Sequence, residues 1–587
     1  MRLSELADAL EALEKTRSRS RMAEHVADLL GRCGRDERAS VVYLLQARLR
    51  PEFEGIELGL GEKLLVRALA EAYGVGDAAV RRRLRSYGDL GRVAEALAPT
   101  VTRQRVSVRH AYDTLLDVAR TSGVDSLQRK ISQVADLLHV LGPREAKLVV
   151  RIVQGKLRLG LGDQTILEAA ALGALGDRGK KGLLEHAYNV RSDLGDVVSV
   201  AFGGGGRSLA RIGPRLGVPV RPALAQRLPS AAAIIRRLGA VQAEPKYDGF
   251  RLQMHRDGER VWAFSRRLEN VTEMFPDLTA ALRRQLRTKR AIVEGEAIVH
   301  NPRTGKFQPF QVTMTRKRKT RVAEMAERFP LRFFAFDLLV AGRHSFINEP
   351  QRVRSRQLRK LLPGGANRAV AVTEAIVARS PEELQSYFDD MIARGLEGVI
   401  AKRPDAPYHA GARGFDWVKL KRVSQSRLRD TVDVVLVGYL RGRGKRASLG
   451  IGSLVGAVYD EKHDRFRTVA KIGSGLSDAA WKNLRGRLDG DVAKRRPARV
   501  DAIITADVWV EPRYVVEVLA EEVTRSPIHT CGRSGNSPGY ALRFPRMLSE
   551  RTDKAATDAT TEREVVEMYK QQRKSPSRLR PLGVIKG

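Results

Sequence analysis

The chain has 587 residues, more than one hydrophobic core can organise, so its length calls for two to four domains. Lys and Arg number 105 against 68 Asp and Glu, a formal charge of +37, and a field of that sign concentrates polyanions, nucleic acid first among them. Cys33 and Cys531 are the only cysteines, which excludes a disulfide framework and any CxxC zinc module and fits a reducing cytoplasm, and no apolar run reaches the roughly 18 residues of a membrane span.

The N-terminal MRLSELADALEALEKTRSRSRMAEH reads as an amphipathic charged helix pattern rather than a secretory signal, so the chain is expected to be neither exported nor membrane-bound. From residue 1 to about 215 the apolar residues keep recurring at helical spacing, as in HVADLLGRC, KISQVADLLHVLG and EAKLVVRIVQG. This third reads as all-helical. The GGGG run at 203–206 and GVPVRPALA at 217–225 break the periodicity and set a domain boundary near 216. Short β-rich runs follow to about 425, RLQMHR, RVWAFS, AIVEGEAIV, LRFFAFDLLV and EGVIAK, separated by helical stretches such as PEELQSYFDDMIARG. From about 430, VDVVLVGYL, GSLVGAVYD, FRTVAKIG, ADVWVEP and VVEVLAEEV predict five short strands that suit a small barrel, with a last helix at TEREVVEMYKQQ and a loose basic tail, RKSPSRLRPLGVIKG.

Chemistry concentrates around EPKYDGFR at 244–251. A lysine amine is a nucleophile only when neutral, and near pH 7.4 only about one in a thousand ordinary lysines is. Lys246 therefore needs partial burial, a nearby cation such as Arg251, or a bound metal to favour its neutral form. The Asp248-Gly249 turn can fix it at a strand end. By itself K-x-D-G is a weak pattern that also suits a surface turn; the ordered residues after it strengthen it. Ser265-Arg266 ends a strand, and Glu294 and Glu296 alternate in VEGEAIV, so both can project from one strand face. Phe336-Asp337, Glu397 with Lys402, and Trp417-Val418-Lys419-Leu420-Lys421 follow. Together they set carboxylates for a divalent cation beside basic groups for a triphosphate, as phosphoryl or nucleotidyl transfer requires.

In this order KYDGFR, Ser265-Arg266, VEGEAIV, FAFDLL, LEGVIAK, WVKLK and ALRFPR resemble the nucleotidyltransferase motifs of ATP-dependent DNA ligases. The likeness covers nearly the whole chain. VVYLLQARLRPEFEGIELGLGEKLL and GKLRLGLGDQTILEA resemble the helical DNA-binding domain of the archaeal-type and eukaryotic replicative ligases, and DVVLVGYLRGRGKRASLGIGSLVGAVYD their OB domain. The resemblance implies that Lys246 attacks the α-phosphorus of ATP to form lysyl-AMP, that AMP passes to the 5′-phosphate of a nick, and that the 3′-hydroxyl displaces it. It implies Arg251 and Arg266 on nucleotide and nick phosphates, Glu296 on ribose or metal, Phe336 stacked on adenine, Glu397 on the metal, and Lys419 and Lys421 on the α-phosphate. Glu244 would help read adenine, Arg413 and Lys402 would contact AMP or phosphate, and Arg543, Arg546 and Lys554 would orient pyrophosphate or contact the DNA backbone. Gly155, Arg158 and Gly160 in GKLRLG would let backbone and charge approach the minor groove and its phosphates; a plain turn between helices is the other reading of that stretch.

Ala223, Ala412 and Met547 depart from the commonest family pattern, which touches adenine packing and phosphate grip but not the reaction class. RNA ligases and mRNA-capping guanylyltransferases share K-x-D-G but need no N-terminal helical domain; the zinc module usual in NAD-dependent ligases needs four cysteines. A DNA-binding scaffold with a decayed site would have lost some of Lys246, Glu296, Glu397, Lys419 and Lys421, and all are present. The expected architecture is multidomain: an all-α DNA-binding domain at 1–216, an α+β nucleotidyltransferase domain of ATP-grasp-like ligase type at 217–427, and a β-barrel OB-fold domain with the basic tail at 428–587, closing on nicked duplex as a clamp. ATP as substrate and Mg²⁺, with Mn²⁺ as an alternative, are the expected cofactors. Nicked double-stranded DNA is the expected partner of a monomer located in the prokaryotic cytoplasm with the nucleoid, in replication, repair and recombination. A sliding clamp is a candidate protein partner, although no clamp-binding peptide stands out.

Overall fold

Among the described residues, apolar residues at helical spacing build twelve α-helices from Leu3–Lys15 to Leu194–Ala210, and their buried faces share one core. Polar caps start several of them: Ser18, Ser107 and Asp193 accept from backbone N–H groups of the first turn. The GGGG run does not end the last helix. Gly205 (φ 61°, ψ −158°) kinks it, and the chain stays helical to Ala210. The computed structural model describes residues 1–100, 104–300, 307–308, 310–318, 320–362, 368–421, 431–442, 450–535 and 537–574. It divides into two compact units, Met1–Leu420 and Lys421–Gly587. The expected boundary at 427/428 and nearly all of the basic tail lie outside the described residues.

After the helices eleven strands follow among the described residues up to the end of the first unit: β1 (Leu224–Arg227), β2 (Val241–Lys246), β3 (Phe250–Asp257), β4 (Arg260–Ser265), β5 (Arg290–Val299), β6 (Leu331–Ala341), β7 (His344–Ser345), β8 (Val370–Val372), β9 (Ile376–Ala378), β10 (Gly398–Lys402) and β11 (Arg413–Lys421), whose last residue begins the second unit. They form two sheets. One has the order β1-β11-β10-β2-β9; the other runs β4-β3-β5-β6-β7, with β8 on β6. The chain passes from the first sheet to the second through Tyr247-Asp248-Gly249, between β2 and β3. Tyr247 stacks on Phe334 of β6, with ring centroids 4.4 Å apart and planes 12° apart. Gly249 is required there, since a Cβ at its position would lie 2.3 Å from the Ala297 carbonyl oxygen.

In the second unit the expected strands appear at Thr431–Arg441, Ile451–Asp460, Arg465–Ile472 and Val508–Val510, and VVEVLAEEV divides into Val515–Leu519 and Glu522–Ser526. Further strands at Val492–Ala493, Val500–Asp501, Gly539–Arg543 and Arg546–Glu550, and the helix Asp478–Asp489, were not foreseen. Among the described residues these strands form an eight-stranded sheet and a two-stranded one, and no closed barrel. The eleven-residue strand Thr431–Arg441 has one edge long enough for two partners: Val515–Leu519 pairs along its first half and Val508–Val510 near Gly438 and Tyr439. The last helix, Glu562–Lys574, lies where expected. Cys33 and Cys531 are both buried and free, and no helix among the described residues is long and apolar enough to cross a membrane.

Candidate active site

Lys246 ends β2, opposite Gly398 of β10. Its carbonyl accepts from the Glu397 N–H at 3.1 Å, and its Nζ pairs with the Glu397 carboxylate. On the other sheet Glu296 faces Arg251 in the β3–β5 register, and its Oε1 accepts from the Gly249 N–H at 3.2 Å. The reactive lysine and two carboxylates are thus brought to one place by the turn that crosses between sheets.

The electrostatics differ from the expectation. Burial does push the Lys246 amine down, but Glu397, then Glu296 and Asp248, pull harder, and its pKa stands above the ordinary lysine value. The amine is protonated. Burial raises the Glu296 carboxyl to about 7, with Lys246 and Arg251 offsetting only part of that. Glu296 and Glu397 are two carboxylates acting on the same lysine from different sheets. That suits a Mg²⁺-sized cation, which takes one or two protein carboxylates and completes its shell from phosphate and water. Among the described residues no group of three or more His, Cys, Asp or Glu side chains is placed to hold a metal by itself.

Glu294, two residues away on the same strand face, is not available to a cation. It is 1% exposed and accepts from Arg251 Nη2 at 2.9 Å and from the Tyr408 hydroxyl at 2.6 Å. Arg251 lies 5.4 Å from the Phe336 ring and 5.6 Å from that of Trp417. Phe336, on β6, meets Trp417 edge-on at 5.9 Å. Glu244 and Lys402 are both turned inward. Their side chains pair at 2.7 Å with 3% and 1% exposure, Lys402 Nζ donates to the Phe336 carbonyl at 2.9 Å, and Gln242 Nε2 donates to Glu244 at 2.7 Å. Lys402 therefore supports the Phe336 backbone from inside, with its charge paired to a buried carboxylate.

Arg266 follows the end of β4 and lines a cleft with Arg251, Ser265 and Glu294. Arg413 opens β11, and Lys419 and Lys421 close it, with Lys419 opposite Arg227 of β1. The backbone N–H of Ala223 donates to Tyr408 at 2.9 Å, and Ala412 precedes β11. Sequence reasoning missed Tyr408, Gln253 and Arg354. Arg354 makes a two-bond pair with Asp337 at 2.7 and 3.0 Å, both fully buried. Its signal was present: on the helix Gln351–Leu361 the buried positions are Gln351, Arg354, Ser355 and Leu358, so Arg354 occupies the apolar face. Tyr408 carries no such periodicity.

The GKLRLG stretch is a loop after the helix Pro143–Val153, with Gly155 (φ 66°), Arg158 (φ 58°) and Gly160 (φ 68°) in the left-handed region. Leu157 and Leu159 are buried and Arg158 between them is half-buried. Arg151 fixes the loop from below, donating to the Leu157 carbonyl at 3.3 Å while paired with Asp89 at 2.7 Å and Glu14 at 3.0 Å. In the second unit Arg543 pairs with Glu522 at 2.6 Å, Arg546 opens the strand that contains buried Met547, and Lys554 pairs with Asp433. Phe544, in the turn between Arg543 and Arg546, is 62% exposed with φ 50°.

Residues 2–171 match the protein-family model described as DNA ligase N terminus, residues 222–421 the one described as ATP dependent DNA ligase domain, and residues 447–554 the one described as ATP dependent DNA ligase C terminal region. The chain is 44% identical to a protein of Dictyoglomus thermophilum named "Probable DNA ligase", over 98% of either chain. It is 39% identical to the "DNA ligase" of Hyperthermus butylicus, over 97% of this chain and 98% of that one. To the "DNA ligase" of Saccharolobus solfataricus it is 38% identical, over 98% of both.

Proposed function

The chain belongs to the ATP-dependent DNA ligase family, of archaeal type, and from that premise we propose that Lys246 is the residue that carries AMP. As a DNA ligase the protein seals nicks in duplex DNA, joining a 5′-phosphate to a 3′-hydroxyl through the lysyl-AMP and DNA-adenylate intermediates general to the family, with ATP as substrate and a divalent metal such as Mg²⁺. Its architecture is the three-domain one, a helical N-terminal domain, a central nucleotidyltransferase and a C-terminal domain.

The observation that supports Lys246 is its position at the crossing between the two sheets, bracketed by Glu296 and Glu397. In the first step its nitrogen forms a bond to the α-phosphorus as the bond to pyrophosphate breaks, after the ammonium has given up a proton to solvent water. Glu397 and Glu296 would hold a divalent cation, which supplies positive charge against the triphosphate. Any positive charge on these carboxylates weakens their pull on the Lys246 proton, so the same residues that keep the resting amine protonated would release it. Phe336 and Glu244 would seat adenine, Arg251, Arg266, Arg413, Lys419 and Lys421 the phosphates, and Arg543, Arg546 and Lys554 the leaving pyrophosphate. Gly155, Arg158 and Gly160 would meet the DNA backbone.

We also read 1–216, 217–427 and 428–587 as the domain limits and the last of these as an OB-fold domain, supported by its five foreseen strands. The protein would act as a monomer in the cytoplasm, since one chain supplies every motif. Incubation with Mg²⁺ and ATP labelled at the α-phosphate tests the central reading. Wild type is expected to take up acid-stable label and Lys246→Ala none; labelling from GTP alone would overturn it.

A further inference from the structure

Residues 217–223 connect the helical part of the first unit to β1 and include no helix or strand. At Gly217, Val220 and Ala223 their backbone groups are nonetheless taken up by side chains. The Gly217 N–H donates to His255 Nδ1 at 3.1 Å. The Val220 N–H donates to Gln253 Oε1 at 2.7 Å, and its carbonyl accepts from Gln253 Nε2 at 3.0 Å. The Ala223 N–H donates to the Tyr408 hydroxyl at 2.9 Å, and its carbonyl accepts from Arg251 Nη1 at 2.6 Å. Arg251, Gln253 and His255 alternate along β3 and so share one face. His255, kept neutral by burial, can accept at Nδ1 while its Nε2 bonds Gln253 Oε1 at 2.9 Å.

Three of these side chains converge on one carboxylate. Glu294 stands opposite Gln253 in the β3–β5 register, and it accepts from Arg251 at 2.9 Å, Tyr408 at 2.6 Å and Gln253 at 3.3 Å. Glu294, Tyr408 and Gln253 are 1, 3 and 4% exposed. Each donor on Glu294 also holds the connector. Pro219, Val220 and Pro222 of that connector line the same cleft as Arg251, Ser265, Arg266 and Glu294.

We infer that Glu294 is a positioning residue: through Arg251, Gln253 and Tyr408 it locks the connector Gly217–Ala223 in place as one wall of the cleft where Arg251 and Arg266 meet phosphate. The placement of that wall and the aim of Arg251 thus share one buried carboxylate. The inference rests on the ligase reading of Arg251 and leaves Lys246 outside the network.

The test uses the full chain and varies ATP in the adenylation step for wild type, Glu294→Gln and Tyr408→Phe. A hydrogen bond to a charged group contributes about 1.5–3 kcal/mol, so losing one is expected to raise the KM for ATP about tenfold or more, with kcat within about threefold. If Glu294→Gln fails to fold, Tyr408→Phe, which removes a single oxygen, carries the test. A KM within about twofold of wild type in Tyr408→Phe, or a lower kcat at unchanged KM, would overturn the inference. Failure of wild type to take label from ATP would instead overturn the reading on which it rests.

Discussion

The buried ion pair beneath the GKLRLG loop makes a quantitative prediction. Arg151 and Asp89 have side-chain exposures of 4% and 0%, and Asp89 also caps the helix Leu90–Leu97, accepting from the Gly91 N–H at 2.9 Å. Replacing Arg151 by Met leaves Asp89 buried with that single donor and leaves the Leu157 carbonyl without its guanidinium. Breaking such a pair from one side costs about 3–5 kcal/mol. Asp89→Ala should cost a similar amount and in addition about 1 kcal/mol for the lost cap. The double variant removes both charges together, so it should be less destabilised than the two single costs added, by up to about 3 kcal/mol. Urea unfolding of the full chain followed by helical ellipticity measures this cycle. Affinity for nicked duplex should fall in Arg151→Met while ATP-dependent adenylation, which needs no DNA, persists in the folded protein. An Arg151→Met cost under about 1 kcal/mol, or strictly additive variants, would refute the reasoning.

Gly249→Ala places a Cβ 2.3 Å from a backbone oxygen; the turn must shift, and adenylation should fall by at least about tenfold while urea unfolding changes little by comparison. Burial opposes the charge on Glu14, but its bonds to Arg151 and Lys147 win and take its pKa from 4.5 to about 2. Since the folded value lies below the unfolded one, the contribution is complete above pH 4.5 and lost as pH falls toward 2, so Glu14→Gln should flatten the acid limb of the stability profile in that range. Nick affinity should drop about a thousandfold or more between 50 and 200 mM salt if the protein covers about six or more phosphates; a flat salt response would count against so extensive a contact with the DNA backbone.

Residue type, spacing and the order of the motifs singled out Lys246, its turn glycine and the carboxylates and cations after it as candidates, because these are local: a strand end, a tight turn, a period of two. The helical first part was legible for the same reason, since its apolar stripes repeat at helical spacing before any packing is known. Other features depended on partners distant in the chain. Glu294 and Glu296 look alike in VEGEAIV, yet β3 and Tyr408 consume Glu294 while Glu296 keeps a carboxyl that burial raises to about 7. Nothing in LEGVIAK shows that Lys402 is paired inside the protein with Glu244, 158 positions earlier. The Lys246 amine was expected to be driven neutral and is instead held protonated by Glu397. In the second unit the strands could be read one by one, but not how the edge of Thr431–Arg441 is shared between two partners. A carboxylate's charge, a lysine's direction and a sheet's closure are set by what is packed against them, and that is decided only when segments far apart in sequence meet.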